Sequence, residues 1–264
     1  MSTLDVTADM AAEAPAAGER GLDLKAMTDA RVALGRFGAG LPTKAQLAFL
    51  LDHARAREAV WTAADRQGLG ARVQALGFDV VEVESLAEAR SVYIRRPDLG
   101  RRLSERSQQA LRAAKAQHGA ADVVIVVGDG LSSSAVEINA VPLIEALSGL
   151  FRQKGLSLAP VVLASQARVA LGDPVGEALA ARVSVTLIGE RPGLSAADSL
   201  GAYITYGPKS GTPDSRRNCV SNIRDGGMAI PLAADAIAAL VRNMLATGIS
   251  GVGLKDAASR LASF

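Results

Sequence analysis

The sequence is short of the residues from which metal sites and disulfide frameworks are built. Its 264 residues include a single cysteine, Cys219, and two histidines. One cysteine excludes an internal disulfide and the zinc patterns that need several cysteines, and it is typical of a reducing cytoplasm. The histidines, His53 and His118, are far apart along the chain, so no His-rich metal motif is present. We therefore expect no resident metal ion.

The chain also lacks an excess of charge of either sign. It has 29 Lys and Arg and 27 Asp and Glu, which give a formal net charge of +2 at pH 7. This balance provides no general field that attracts nucleic acid. The first 20 residues contain no apolar run of a secretory signal, and no later stretch is expected to span a bilayer. We expect a cytoplasmic protein with neither nucleic acid nor membrane as a partner.

Aromatic residues make up only 3% of the chain, and residues 1–20 contain none. This segment is rich in Ala and shows no sustained amphipathic pattern, which predicts a mobile tail. Residues 21–118 favour helices, with one candidate strand in VVEVES. The clearest helix follows a possible cap at Thr43, where Leu50 and Leu51 belong to a predicted apolar stripe. We assign residues 21–118 to a mainly helical N-terminal region.

In residues 119–264, apolar strands alternate with amphipathic helices. Continuous β-branched strands separated by helices are typical of a parallel sheet that is covered on both faces. The predicted strands are 123–127, 159–164, 183–188 and 202–206, with a short helix near SAADSL before the last of them. We expect an α/β fold with a doubly wound, Rossmann-like parallel sheet. In such a sheet the loops that follow the strands meet at one edge, where ligands bind.

The first of these loops, GDGLSSS, begins at Gly128 and has two possible functions. Glycines permit close backbone approach, and Ser132 to Ser134 can cap a helix whose free N–H groups hold a phosphate or another polar group. Alternatively, Asp129 and a serine cap simply form a strand-to-helix turn. The stretch lacks the GxGxxG spacing of dinucleotide sites and the Gly-Lys-Ser/Thr ending of a P-loop. Asp129 thus remains open to a catalytic or a turn function.

The loop GERPGLS places Glu190 directly after the third strand. Its carboxylate can accept hydrogen bonds from ribose hydroxyls or amides of a ligand, or it can be tied to groups of its own loop. Val169, after the second strand, and Cys219, after the fourth, are by themselves typical packing residues. No Ser-His-Asp triad and no pair of acid–base carboxylates are evident, so we expect no complete catalytic site.

Three pairs of adjacent arginines are the remaining candidates for binding. They are residues 95–96, 101–102 and 216–217. Each pair is either solvated or salt-bridged, or else contacts an acidic partner chain.

Six motifs, in order, resemble the small (light) subunit of ethanolamine ammonia-lyase. They are ARVALGRFGAGLPT, LDHARAR, RRPDLGRRL, VIVVGDGLSSSAV, IGERPGLSAADSL and NCVSNIRDGG, and the resemblance covers about residues 27–250. It implies an adenosylcobalamin-dependent enzyme that converts ethanolamine to acetaldehyde and ammonia by radical chemistry. It also implies that a separate large subunit holds the substrate and that the small subunit closes over cobalamin at the interface, with GDGLSSS forming one wall of the cleft.

By the same resemblance, the family's cobalamin contacts fall on three residues of this chain. They are Val169 in RVALGD, Glu190 in GERPG and Cys219 in NCVSN. Bacteria that use ethanolamine often house the enzyme in a protein-shelled microcompartment, which makes that a second expected location. Two alternatives from other classes stay open: a free-standing Rossmann-like oxidoreductase or phosphotransferase that uses Asp129, and a non-catalytic adaptor with an Arg-rich face.

Overall fold

The computed structural model describes residues 24–28, 30–36, 38–255 and 257. The chain divides into two compact units after Leu47. The first unit contains one short helix and the first turn of a longer one, and the second unit contains the sheet. The predicted tail, residues 1–20, lies outside the described residues. The predicted division into 21–118 and 119–264 stays a prediction.

The described residues form eight α-helices and six strands. The helices are α1 (Leu24–Met27), α2 (Thr43–Trp61), α3 (Arg66–Ala75), α4 (Arg90–Arg95), α5 (Glu105–His118), α6 (Ser133–Gln153), α7 (Gly172–Ala178) and α8 (Ile230–Thr247). The strands are β1 (Val80–Glu84), β2 (Val123–Gly128), β3 (Val161–Ser165), β4 (Val183–Gly189), β5 (Leu200–Tyr206) and β6 (Asn218–Ile223).

The six strands form one sheet with the order β1-β3-β2-β4-β5-β6. The four strands β1, β3, β2 and β4 are parallel. The ends of β2, β3 and β4 therefore lie at one edge, as expected for the loops that begin at Gly128, after Ser165 and at Gly189. The strand β6 was not predicted from the sequence. β1 lies in the region predicted to be mainly helical, although it is an edge strand of this sheet.

The expectation of an all-parallel sheet is wrong for β5. This strand runs antiparallel to β4, and β6 runs antiparallel to β5. The predicted helix near SAADSL is absent from the described structure, and a tight turn with a bridge between Gly193 and Ala196 takes its place. A parallel strand needs a crossover connection, usually a helix, to return to the starting edge. Without that helix β5 has to run back along β4, so the fold is α/β with a mixed sheet.

The two faces of the sheet are covered to different extents. Val123, Ile125 and Val127 belong to a core that α3, α6 and α8 cover, and we call this the first face. Val124 and Val126, which alternate with them, pack on the opposite face under α5 and α7. We call that the second face. Because α5 and α7 cover only the parallel strands, the part of the second face on β5 and β6 is more open.

Two helices have the length and hydropathy of a membrane span, namely Ser133–Gln153 and Ile230–Thr247. On length and composition alone, the expectation that no stretch is long enough is wrong. Both helices pack on the first face of the sheet, where Leu147 and Val241 are fully buried. Burial against the sheet explains the apolar residues on the inner side of each helix, whereas Leu232 of α8 is 65% exposed.

The helix α2 is largely exposed, including Leu50 and Leu51 of its predicted apolar stripe. In the part of this helix that belongs to the second unit, Leu50, Leu51 and Trp61 have 52, 51 and 53% of their surface exposed. Phe49 is 40% exposed. Large apolar side chains that gather on one exposed helix are typical of a surface that another chain covers.

Candidate functional site

The turns after β2 and β4 pack directly against each other at the edge of the sheet. Gly130 has a φ of +56°, and a Cβ atom there would collide with the carbonyl oxygen of Gly189. A Cβ atom on Gly189 would in turn collide with the carbonyl of Ser132. The Ser132 hydroxyl accepts a hydrogen bond from the Ala135 amide (3.2 Å) and so caps α6. The two glycine turns thus serve close backbone packing.

Asp129 is engaged in contacts that hold the next loop. Its two carboxylate oxygens accept hydrogen bonds from the backbone N–H groups of Gln166 and Ala167, each at 2.9 Å. Arg90 lies 3.5 Å away. Burial raises the pKa of Asp129, while the two amides and Arg90 oppose that shift. The Tyr93 hydroxyl donates to the Ala167 carbonyl (2.9 Å), so the loop after β3 is fastened on two sides. This arrangement favours the turn function of Asp129 over a catalytic one.

Replacing Asp129 with alanine is expected to lower the free energy of unfolding by about 1–3 kcal/mol, because two partly buried backbone N–H groups, those of Gln166 and Ala167, lose their acceptor. Urea denaturation of the two proteins measures the difference. The matched control is Asp235→Ala on the exposed side of α8, which is expected to change stability by less than about 0.5 kcal/mol. Equal stability of the Asp129→Ala protein and the parent would contradict the structural function.

Val169 begins the 3₁₀ turn Val169–Leu171, which connects this loop to α7, and it is half-buried. The next helix starts at Gly172, which packs closely against the hydroxyl of Thr186 in β4. Thr186 pairs with Tyr203 in β5. Since residues that pair directly across antiparallel strands share a face, the turn at Val169 leads onto the second face of the sheet.

Glu190 directly follows β4, and its side chain lies against the neighbouring strand β5. Its carboxylate Oε2 accepts hydrogen bonds from the Ser199 hydroxyl (2.6 Å) and from the backbone N–H of Asn222 (3.2 Å). Gly201 leaves room for the carboxylate, because a Cβ atom there would lie 2.9 Å from Oε1. Both hydrogen bonds to the carboxylate from described residues go to Oε2. Oε1 therefore keeps its capacity to accept a hydrogen bond from a ligand.

Cys219 lies in β6, opposite Tyr203 of β5, and is exposed. Partial burial of the thiol raises the pKa of Cys219; a hydrogen bond with Tyr203 lowers it, and the charge of Glu190 raises it. Burial likewise raises the pKa of Tyr203 to about 12, and Cys219 and Glu190 contribute in the same direction. Cys219 pairs with Tyr203, and the Glu190 carboxylate lies against Gly201, which is two residues before Tyr203 and so shares its face. Glu190, Tyr203 and Cys219 are therefore grouped on the open part of the second face.

Three residues of this site, Tyr203, Ser199 and Asn222, were not predicted from the sequence. Tyr203 is in a strand that was identified, and the alternation of that strand would have placed it on the opposite face from Ala202 and Ile204. Its position beside Cys219 depends on β6, which was not identified. Val169 is on the same side of the sheet but in a separate segment, so the structure brings Glu190 and Cys219 together more directly than it does Val169.

The fold and this face define an α/β chain with a mixed sheet and an open polar surface on β5 and β6. Within the described part of the chain, no group of three or more His, Cys, Asp or Glu side chains could hold a metal ion. The family model for the ethanolamine ammonia-lyase light chain matches residues 19–255. The chain belongs to this family of lyase subunits.

Relatives from several bacteria agree with this assignment. An ethanolamine ammonia-lyase small subunit of Bradyrhizobium diazoefficiens is 52% identical over 236 residues, which cover 89% of this chain and 90% of the relative. That of Xanthomonas campestris pv. campestris is 49% identical over 238 residues, with coverages of 90 and 88%. That of Pseudomonas fluorescens is 48% identical over 238 residues, with coverages of 90 and 87%.

Proposed function

We propose that this chain is the cobalamin-binding small subunit of an adenosylcobalamin-dependent ethanolamine ammonia-lyase. With a larger subunit it converts ethanolamine to acetaldehyde and ammonia. The family assignment supports the lyase activity, and the names of the relatives as small subunits support a larger partner. Four of the six strands are parallel and carry helices on both faces, and this arrangement supports the proposal of a Rossmann-like ligand edge.

The observation that carries the cofactor proposal is the proximity of Glu190 and Cys219 on the open second face. Cobalamin combines a nucleotide tail and amide side chains with a large apolar ring. Glu190 Oε1 suits the amide N–H and hydroxyl donors of such a molecule. The exposed Cys219 and the half-buried Val169 provide apolar contact at the same side of the sheet.

The chain's own part in the reaction is to bind and orient. When bound, adenosylcobalamin supplies homolytic cleavage of its cobalt–carbon bond as the source of radical chemistry. Glu190 holds polar groups in place, because Ser199 and Asn222 fasten its other carboxylate oxygen. The Asp129 contacts stabilise the loop that leads to Val169. We assign no catalytic residue to this chain.

The exposed apolar residues of α2 support assembly with another chain. Phe49, Leu50 and Trp61 would be covered in a complex, which removes apolar surface from water. We place the complex in the cytoplasm, and in bacteria that make a protein-shelled microcompartment, inside that shell. A free-standing oxidoreductase or phosphotransferase that uses Asp129 is disfavoured, because the Asp129 carboxylate is buried and engaged by two amides.

Alkylation of Cys219 tests the cofactor proposal, because this residue is the chain's only thiol. Its raised pKa keeps it protonated near neutral pH, so reaction with iodoacetamide is expected to be slow and to accelerate as the pH rises. Adding adenosylcobalamin to the complex with the larger subunit is expected to slow the reaction several-fold further. Mass spectrometry of the labelled peptide measures the rate.

Two controls sharpen this test. Glu190→Gln removes a negative charge that raises the pKa of Cys219, so this variant is expected to react faster than the parent at the same pH. The complex without cobalamin shows how much protection the larger subunit gives alone. Identical rates with and without cobalamin would argue against a cofactor contact at Cys219.

A further inference from the structure

The three pairs of adjacent arginines, which are candidates for contact with an acidic partner, differ in whether carboxylates of the chain bind them. In the pair 95–96, Arg96 donates two hydrogen bonds to Asp98, at 2.9 and 2.7 Å. In the pair 216–217, Arg217 is buried in an ion pair with Asp173. At least one guanidinium of each of these pairs is thus neutralised inside the chain.

The pair 101–102 is different. Arg101 and Arg102 are exposed and line a groove of about 1170 Å³ between α5, α7 and the loop after β5. Arg112 and Lys115 of α5 line the same groove. No side-chain hydrogen bond or ion pair joins any of these four cations to another residue in the part of the chain that the structure describes.

The carboxylates that line the groove form no ion pair with these four cations in the described structure. Asp98 and Asp173 are bound to the arginines named above, and Asp214 also pairs with Arg217. Glu177 accepts hydrogen bonds from the amide and the hydroxyl of Ser210, both at 2.9 Å. Glu177 and Asp214 keep their negative charge, because Ser210 is neutral and Arg217 already pairs with Asp173. Set against the four unpaired cations, they leave the groove with a net excess of positive charge.

We propose that this groove binds an acidic segment of the larger subunit. The inference rests on the proposed assembly with that subunit and adds the surface and the chemistry of the contact. Arg102 precedes α5 and Lys115 lies in its last turn, so the cations are spread along a helix about 21 Å long at 1.5 Å per residue. This spread suits an extended run of Asp and Glu better than a single phosphate. Complementary charge of this kind steers association and fixes the register of two chains.

The test measures association of the full chain with its larger subunit, with Arg101 and Arg112 both changed to glutamate. We expect the association rate at low salt to fall by about 10-fold or more, because steering by opposite charges is lost. Raising the ionic strength is expected to slow the parent and to affect the variant much less. The matched control changes Lys154 and Arg242, two exposed cations on the side of the first face, to glutamate. The control is expected to stay within about twofold of the parent.

An oligoglutamate peptide provides a direct probe of the groove. It is expected to compete with the larger subunit for the parent chain and not for the Arg101→Glu, Arg112→Glu variant. Equal association of both charge-reversed proteins and the parent would overturn the inference, as would competition by inorganic phosphate with none by the peptide. If the parent chain itself does not associate with the larger subunit, the proposed function fails first. Unfolding transitions of all variants confirm that each is folded.

Discussion

The purified chain alone is expected to show no ammonia-lyase turnover, and activity is expected to appear when the larger subunit and adenosylcobalamin are added. We expect no turnover by the chain alone because its described residues do not form a complete set of catalytic groups. Asp129 is buried and engaged by two amides, and Cys219 has a raised pKa that disfavours its nucleophilic form. Acetaldehyde production from ethanolamine, followed with the chain alone, the larger subunit alone and the mixture, measures the effect.

The control for this experiment is the chain with adenosylcobalamin but without the partner, at a concentration equal to that in the mixture. Robust acetaldehyde production in that sample would show that the chain holds a complete active site. Turnover by the larger subunit alone at the rate of the mixture would show instead that this chain is dispensable. Either result contradicts the function proposed for the complex.

Replacing Glu190 with alanine is expected to weaken cobalamin binding by the reconstituted complex roughly 5- to 150-fold, equivalent to about 1–3 kcal/mol. The change leaves polar groups of the ligand without the acceptor that Oε1 provides. The Ser199 hydroxyl and the Asn222 amide also lose their partner, so a small loss of stability accompanies it. Titration with cobalamin, followed by its absorbance, measures the affinity, and thermal unfolding measures the stability.

Two further variants separate binding from folding. Glu190→Gln keeps an oxygen acceptor and is expected to retain more affinity than Glu190→Ala. Glu145→Ala removes an exposed carboxylate from α6, on the other side of the sheet, and is expected to leave the titration unchanged. The affinity for ethanolamine at saturating cobalamin is expected to change little in all three. Superimposed cobalamin titrations of Glu190→Ala and the parent would make Glu190 a structural turn residue.

Local sequence patterns predicted most of the elements around the candidate site. The run VVIVV can only be buried on both sides, and it forms β2 with every residue buried. The glycines and Ser132 that follow it predicted a tight turn and a helix cap, which the structure confirms. These features depend on neighbouring residues, so the sequence is sufficient to specify them.

The direction of β5 and the presence of β6 were not predicted. A connection of ten residues after β4, 190–199, is compatible with a short helix or with a turn, and only pairing with β4 decides between them. That choice determines which side chains meet on the second face. The neighbours of Glu190 are consequently Ser199, directly before β5, and Asn222 of β6, which is 32 residues along the chain. No local pattern contains the contact with β6.

By itself the sequence determined the α/β class, the positions of the parallel strands and, through its motifs, the family. Those properties follow from hydrophobic periodicity and from residue types at short spacing, which act locally. Only the tertiary structure decided that the sheet is mixed, that Asp129 fixes the loop after β3, and that Glu190 lies beside Cys219. It also decided that the arginines at 101–102 form no ion pair, whereas Arg96 and Arg217 are paired with carboxylates. Charge pairing and strand order depend on residues that are distant in sequence and become neighbours only when the chain packs.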